Sequence, residues 1–425
     1  MIKKFEKLGN HVFVTKLAGF EHSKYIQYNQ TKKPIADSDI PLVQGCNIRN
    51  GFFTEEYEWY ISKDISDLLL RSKLTKECIL VPYVGSNLGE VGIFYHPYDC
   101  HLASNIAKIE LIDDYFDLEF LKYYLQSPIG QKYLFQSKQE SAQPNITMEA
   151  IRNTLVFNYS IETQKKIALF FKKIDDKILL NNKINDNLQQ VILTIFNRWF
   201  NQFEFDLEEG KTYSSSRRNF VFNSILKKEI PEGWIVENIA QNKLSSLIDV
   251  GVDYFTSKNY IATANVNGTM IQNGNDVTYE NRESRANMQP SLNSIWFAKM
   301  KNSVKHIFIS SNSQWFLDKY ILSTGFCGIN CTELSFPYIA SVIMQPYFEA
   351  AKDKMAHGAT QQAVNNDDLK NIPLLVPSDE VLQKYSKIVL PIFKKMNEIQ
   401  LENQKLMALR DNLLPLLMNG QVTIR

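Results

Sequence analysis

The chain has 425 residues, 44% of them hydrophobic and 22% charged, which is ample material for packed cores and excludes a wholly disordered protein. Its 47 basic and 46 acidic side chains leave a net charge of +1, which excludes a protein that grips nucleic acid by bulk charge alone. Five cysteines, an odd number, make no disulfide framework, and no opening signal or membrane span is visible, so a soluble cytoplasmic chain with free thiols is expected.

In chain order, a polar loop run, QGCNIRNG, begins at Gln44. CILVPYV from Cys78 is β-like, and FDLEFLKYYLQS from Phe116 has a helical pattern. SAQPNITMEAIRNTLVF follows from Ser141, and then the period lengthens. Ile167, Phe171, Ile174, Ile178, Leu188, Ile192 and Ile195 form a heptad seam interrupted by Asn181 and Asn185. The stretch FDLEEGKTYSSSRRN (205–219) reads as a surface linker, and IPEGW (230–234) as a turn into a strand.

The same features then return in the same order. TANVNG from Thr263 faces the Gln44 run, NSIWFAKMKN from Asn293 faces ECILVPYVGS from Glu77, and ATQQAVNNDDLKNIPLLV from Ala359 faces the Ser141 run. Gln143 aligns with Gln361, Ile146 with Val364, Ile151 with Leu369, Asn153 with Asn371, and Phe171 with Phe393. A second seam follows, of Val389, Ile392, Met396, Ile399, Leu406, Leu413 and Leu417, with Asn403 and Arg410 as its polar exceptions. Each match is weak, but their shared order indicates a tandem repeat of about 220 residues. Pro391 is expected to kink the second helix, or to split a short helix (379–390) from the main one.

If a pseudo-twofold relates the halves, the helices pair antiparallel and their midpoints meet. Asn181 then faces Asn403, and the pair fixes the register, because a polar residue in a seam is tolerated where it finds a matching partner. A helix of about 30 residues is about 45 Å long, somewhat more than one DNA turn of about 34 Å.

Motifs for chemistry are missing. There is no Walker loop, G-x-G-x-x-G, H-E-x-x-H or G-x-S-x-G, and no adjacent prolines to form the Asn-Pro-Pro-aromatic motif that holds a flipped adenine. Asp113/Asp114 and Asp175/Asp176 sit beside helical runs, as caps or solvated faces do. Cys327 and Cys331 lack a second pair, so they read as small buried side chains rather than a zinc site.

A domain, the run SIETQKKIALFFKKIDDKI into a helix, IPEGW, then a second domain and helix: this arrangement resembles the specificity (S) subunit of type I restriction–modification systems, over essentially the whole chain. Two features depart from the family pattern. The first half lacks a P-x-G-W opening, and the run into the second helix, SDEVLQKYSKIV, is degenerate. The resemblance implies an α+β fold of two globular target-recognition domains joined by two long antiparallel helices, a coiled-coil spacer, with a pseudo-twofold internal repeat. The expected boundaries are 1–160 for the first domain, 161–200 for the first helix, 201–229 for a linker, 230–377 for the second domain and 378–425 for the second helix.

It also implies a non-catalytic chain that binds double-stranded DNA, each domain reading one half of a split site. Two modification subunits, carrying S-adenosylmethionine and adenine-N6 methyltransferase chemistry, would dock on it, joined by restriction subunits with translocase and nuclease activity. No cofactor or metal is expected in this chain itself. A single-chain methyltransferase or nuclease with cryptic motifs, and an assembly scaffold without a DNA role, are the competing readings.

Base readout pairs Arg or Lys with guanine and Asn or Gln with adenine. In the first domain that selects Gln44, Asn47, Arg49, Asn50, Ser86 and Asn87, with Gln143 and Asn145. In the second it selects Asn265, Asn267, Gln361 and Gln362, with Lys299, Lys301, Lys305 and His306 mainly as phosphate contacts. An ordinary turn or solvated loop residue is the alternative for each.

Overall fold

Cys78–Pro82 is buried at every residue, as a strand covered on both faces must be, and the same holds for Ser294–Ala298 and His306–Ile309. These runs are strands of a computed structural model that describes residues 4–136, 144–208, 211–215, 219–358 and 361–424. The chain divides into two units, Met1–Lys177 with Leu406–Arg425, and Ile178–Lys405. Each unit therefore combines one mixed domain with a part of both long helices.

In the first unit, one antiparallel sheet runs Val12–Lys16, Ile106–Leu111, Cys78–Pro82, Gly92–Phe94. A second runs Tyr60–Ile61, Ile40–Val43, Cys100–Leu102, Lys73–Leu74, with its central pair parallel. The second unit repeats both orders. Ser245–Leu247, Phe326–Cys331, Ser294–Ala298 and His306–Ile309 form the antiparallel sheet. Asn275–Val277, Lys258–Ile261, Tyr320–Ser323 and Ala286–Met288 form the other, and the parallel pair falls at the same place. Two sheets with one strand order, down to the position of the parallel pair, are the repeat written in structure.

Each domain carries two short helices in succession, Leu118–Gln126 and Pro128–Leu134, then Phe336–Ile343 and Pro346–Met355. The second of each pair opens with a proline in its first turn, where the missing N–H costs nothing. Asp117 caps the first, accepting from the Phe120 amide at 2.9 Å.

The long helices span Ile161–Phe196 and Asp379–Met418. Their predicted seams are mostly buried: Ile167, Phe171, Ile174, Ile178 and Ile192 on one, Val389, Met396, Ile399 and Leu417 on the other. In the second unit, Trp199 lies 5.6 Å from Tyr385 and Asn181 bonds Asn403, so rising numbers on one helix meet falling numbers on the other. In the first unit, Tyr159 donates to the Leu417 carbonyl and Arg410 to Asp175, again antiparallel. The helices pack together in both units.

Two expectations need correction. The second helix runs unbroken through Pro391. Pro391 and Lys387, whose carbonyl loses its helical partner there, both lie on the exposed side. Nor is the stretch 205–219 simply a surface linker. Phe205 and Tyr213 are buried in a core cluster with Trp199, Phe200, Phe203 and Trp234, because aromatic rings interrupt its polar residues.

Candidate nucleic-acid interface

A turn at Gly45–Asn47 leads into a hairpin, Ile48–Arg49 paired with Phe52–Phe53. Asn47 is buried and shapes it. Its Oδ1 accepts from the Gln44 amide at 2.8 Å, while Nδ2 donates to the carbonyls of Thr54 and Glu56 at 3.1 and 2.9 Å. Asn50 and Gly51 carry φ of 56° and 79°, the left-handed pair that a two-residue hairpin turn of type I′ requires.

The second domain builds the same object from different residues. Thr263–Asn265 leads into Val266–Asn267 paired with Met270–Ile271, and Asn265 Oδ1 accepts from the Ala262 amide at 2.9 Å. Thr54 donates its amide to the Asn47 carbonyl at 2.8 Å, as Gln272 does to Asn265. Gly268, with φ 58°, starts the turn.

A second segment clamps each hairpin. Asn87 Nδ2 donates to the Ile48 carbonyl at 2.7 Å, and the Gly51 amide donates to Glu90 at 3.0 Å. In the other domain the His306 amide donates to the Gly268 carbonyl at 2.9 Å, and Lys305 Nζ to the Thr263 carbonyl at 2.7 Å. A third segment joins through one bond in each domain. The Ile146 amide donates to the Tyr83 carbonyl, and the Val364 amide to that of Lys299, both at 3.0 Å. Candidates from three separate stretches of sequence thus meet on one edge, and they do so twice.

The candidates do not share one role. Arg49, Asn50, Ser86, Asn145, Asn267, Lys301, Gln361 and Gln362 are exposed. Lys301 Nζ is held by Gln362 Oε1 at 2.7 Å, and Ser86 donates to Asn87 Oδ1 at 3.0 Å. Gln44 is half-buried, its Oε1 accepting from the Cys46 thiol. Gln143 lies outside the described residues. Asn47 commits its amide, and Asn265 its amide oxygen, to the backbone, so they hold the hairpins rather than reach outward.

His306 is buried and sits 2.8 Å from Glu349, whose other partner is Lys352. Burial would raise the Glu349 carboxyl, but His306 and Lys352 hold it below its ordinary range. His306 is therefore a core residue and not a phosphate neighbour. Lys305 is half-buried, which lowers its pKa, Lys299 is half-buried as well, and Lys301 is the exposed cation of the three.

Reading the sequence for base-pairing side chains missed the clamping acid Glu90, because a lone Glu in a polar loop carries no signal. It also passed over Glu55 and Glu56, exposed beside the first hairpin where the second domain has Asn273 and Gly274. The run EEYE was the available signal.

Among the described residues no group of three or more His, Cys, Asp or Glu is placed to hold a metal, and no helix is long and apolar enough to cross a membrane. Cys327 is buried, and burial pushes its thiol pKa up to about 12.

What the geometry defines is a class: an internally duplicated α+β protein that presents one three-segment edge twice. The profile of the type I restriction modification DNA specificity domain matches residues 28–190. The type I restriction enzyme MjaIX specificity subunit of Methanocaldococcus jannaschii is 24% identical over 414 residues, covering 91% of this chain and 87% of that one. The HindI specificity subunit of Haemophilus influenzae is 22% identical over 361 residues, 72% of this chain and 77% of its own. The EcoBI specificity subunit of Escherichia coli reaches 33% over 129 residues, 30% of this chain and 27% of its own. Residues 28–190 thus match the DNA specificity domain of type I restriction–modification systems, and nine-tenths of the chain is similar to the specificity subunit of a type I restriction enzyme.

Proposed function

We propose that each three-segment edge reads one half of a split DNA site, with the paired helices setting the gap between the halves. The observation that carries this is the duplication of the edge, since one fold presented twice suits two short sequences better than one continuous sequence. Arg49, Asn50, Ser86 and Asn145 are the proposed readers in the first domain, with Asn87 and Gln44 supporting them. Asn267, Gln361 and Gln362 are those in the second, with Lys299 and Lys301 on phosphate.

The Asn181–Asn403 bond at 2.8 Å, with Asn403 donating on to Asn182 at 2.9 Å, supports a register-setting role for this pair. The reading includes partners. Two modification subunits, supplying S-adenosylmethionine and adenine-N6 methyl transfer, dock on the two halves, and restriction subunits join them. A net charge of +1 fits a chain whose partners share the phosphate contacts.

Mapping methylated adenines in DNA exposed to the reconstituted complex tests this. Two short half-sites at one fixed gap are expected. Methylation without sequence preference, or methyl transfer by the purified chain alone, refutes it.

A further inference from the structure

Resting on that reading, the structure assigns a single pair of equivalent specificity determinants, Arg49 in the first domain and Asn267 in the second. We infer that the first half-site carries a guanine where the second carries an adenine.

The argument is one of matched frames. Each residue is the last of its strand before the hairpin turn, paired across it with Phe52 or Met270. Each follows a buried aliphatic, Ile48 or Val266, and stands two places after an asparagine whose Oδ1 closes the preceding turn. Bonds to the hairpin backbone fix it on both sides, from the Thr54 amide and the Asn87 side chain in one domain and from the Gln272 and His306 amides in the other. With the frame constant, the exposed side chain at this position changes from Arg to Asn.

The chemistry of the two differs in the way that separates bases. A guanidinium donates two parallel bonds to guanine O6 and N7, whereas a carboxamide both donates to and accepts from adenine N6 and N7. Arg49 is partly preorganised. Its Nε donates to the Cys46 carbonyl at 2.9 Å, and Nη1 lies 3.7 Å from the exposed Glu56. Asn267 is exposed and has no side-chain partner among the described residues.

The test maps methylated adenines for complexes reconstituted with the wild-type chain, R49N, R49K and N267R. The wild-type map should show guanine and adenine at equivalent places of the two half-sites. R49N should lose roughly 5- to 150-fold of its discrimination at one base of one half-site and leave the other half-site unchanged. N267R should do the same in the other half-site only. R49K keeps the charge without the fork, so it should lose part of the discrimination at that base, less than R49N, while overall binding stays near wild type.

Variants that leave both half-sites as in the wild type overturn the assignment while the split-site reading stands. So do variants that weaken every sequence alike, provided that their melting temperatures match the wild type. A wild-type complex with no split site overturns both readings.

Discussion

Asp175 and Asn397 occupy the same place in the two halves, each four residues after the aligned Phe171 and Phe393, and they tie a domain to a helix by different chemistry. Asp175 accepts from Tyr123 at 2.7 Å, Lys122 at 3.3 Å and Arg410 at 3.1 Å. Asn397 accepts from the Ser310 amide, the Ser310 hydroxyl and the Ser313 hydroxyl, and donates to the Phe308 carbonyl, all within 2.9 Å. Burial alone would favour discharging Arg410, but Asp175 and Asp411 raise its pKa. The seam position equivalent to Arg410 is Leu188, so only the first unit has a cation to place opposite an acid. A duplicated frame keeps the location of a lock without keeping its charge.

The difference should show first in stability. Asp175→Ala leaves Lys122 and Arg410 without their buried partner and should cost about 3–5 kcal/mol in denaturant unfolding. Asn397→Ala leaves neutral donors and one carbonyl unpaired and should cost roughly 1–3 kcal/mol. Equal costs, or a larger one for Asn397, would break the comparison.

A second asymmetry concerns pH. His101, in the parallel pair of the first unit, is buried against Ser72 and the Leu102 carbonyl, and burial lowers its pKa to about 4. Its counterpart in the second unit is Ile321, in the equivalent parallel pair. Because the folded pKa is depressed, the unfolded chain takes up the proton first as pH falls. This contribution is full above the ordinary value of about 6.5 and is lost between there and about pH 4, a total of about 3 kcal/mol. Comparing unfolding at pH 7 and 4.5 for wild type and His101→Ile sharpens the contrast. The variant should lose less stability, and identical losses would contradict the assignment.

The smallest effect concerns the amide pair within the second unit. A double-mutant cycle with Asn181→Leu and Asn403→Leu should give a coupling of about 1 kcal/mol, and strictly additive costs would remove it as a register device.

Much of this was legible because repetition and periodicity are local properties. The alignment of Ile146 with Val364 reappears as a bond to Tyr83 in one domain and to Lys299 in the other, and most of the seam residues are buried where their spacing places them. What was not legible depends on which distant groups meet. Asn47 and His306 have the composition of readers, yet three backbone bonds consume one and Glu349 the other. Phe205 and Tyr213 look like part of a polar linker until Trp199 and Trp234 are brought beside them. Pro391 signals a kink or a split in a helix, and its exposed position fits the absence of a split.

The central claim is that one chain presents two reading edges of a single design. Its most direct test is selection from a pool of random duplexes by the chain reconstituted with its modification subunits, at a stated salt concentration. The account predicts two short enriched sequences held at one constant gap. One uninterrupted sequence, or enrichment no better than non-specific binding, would contradict it.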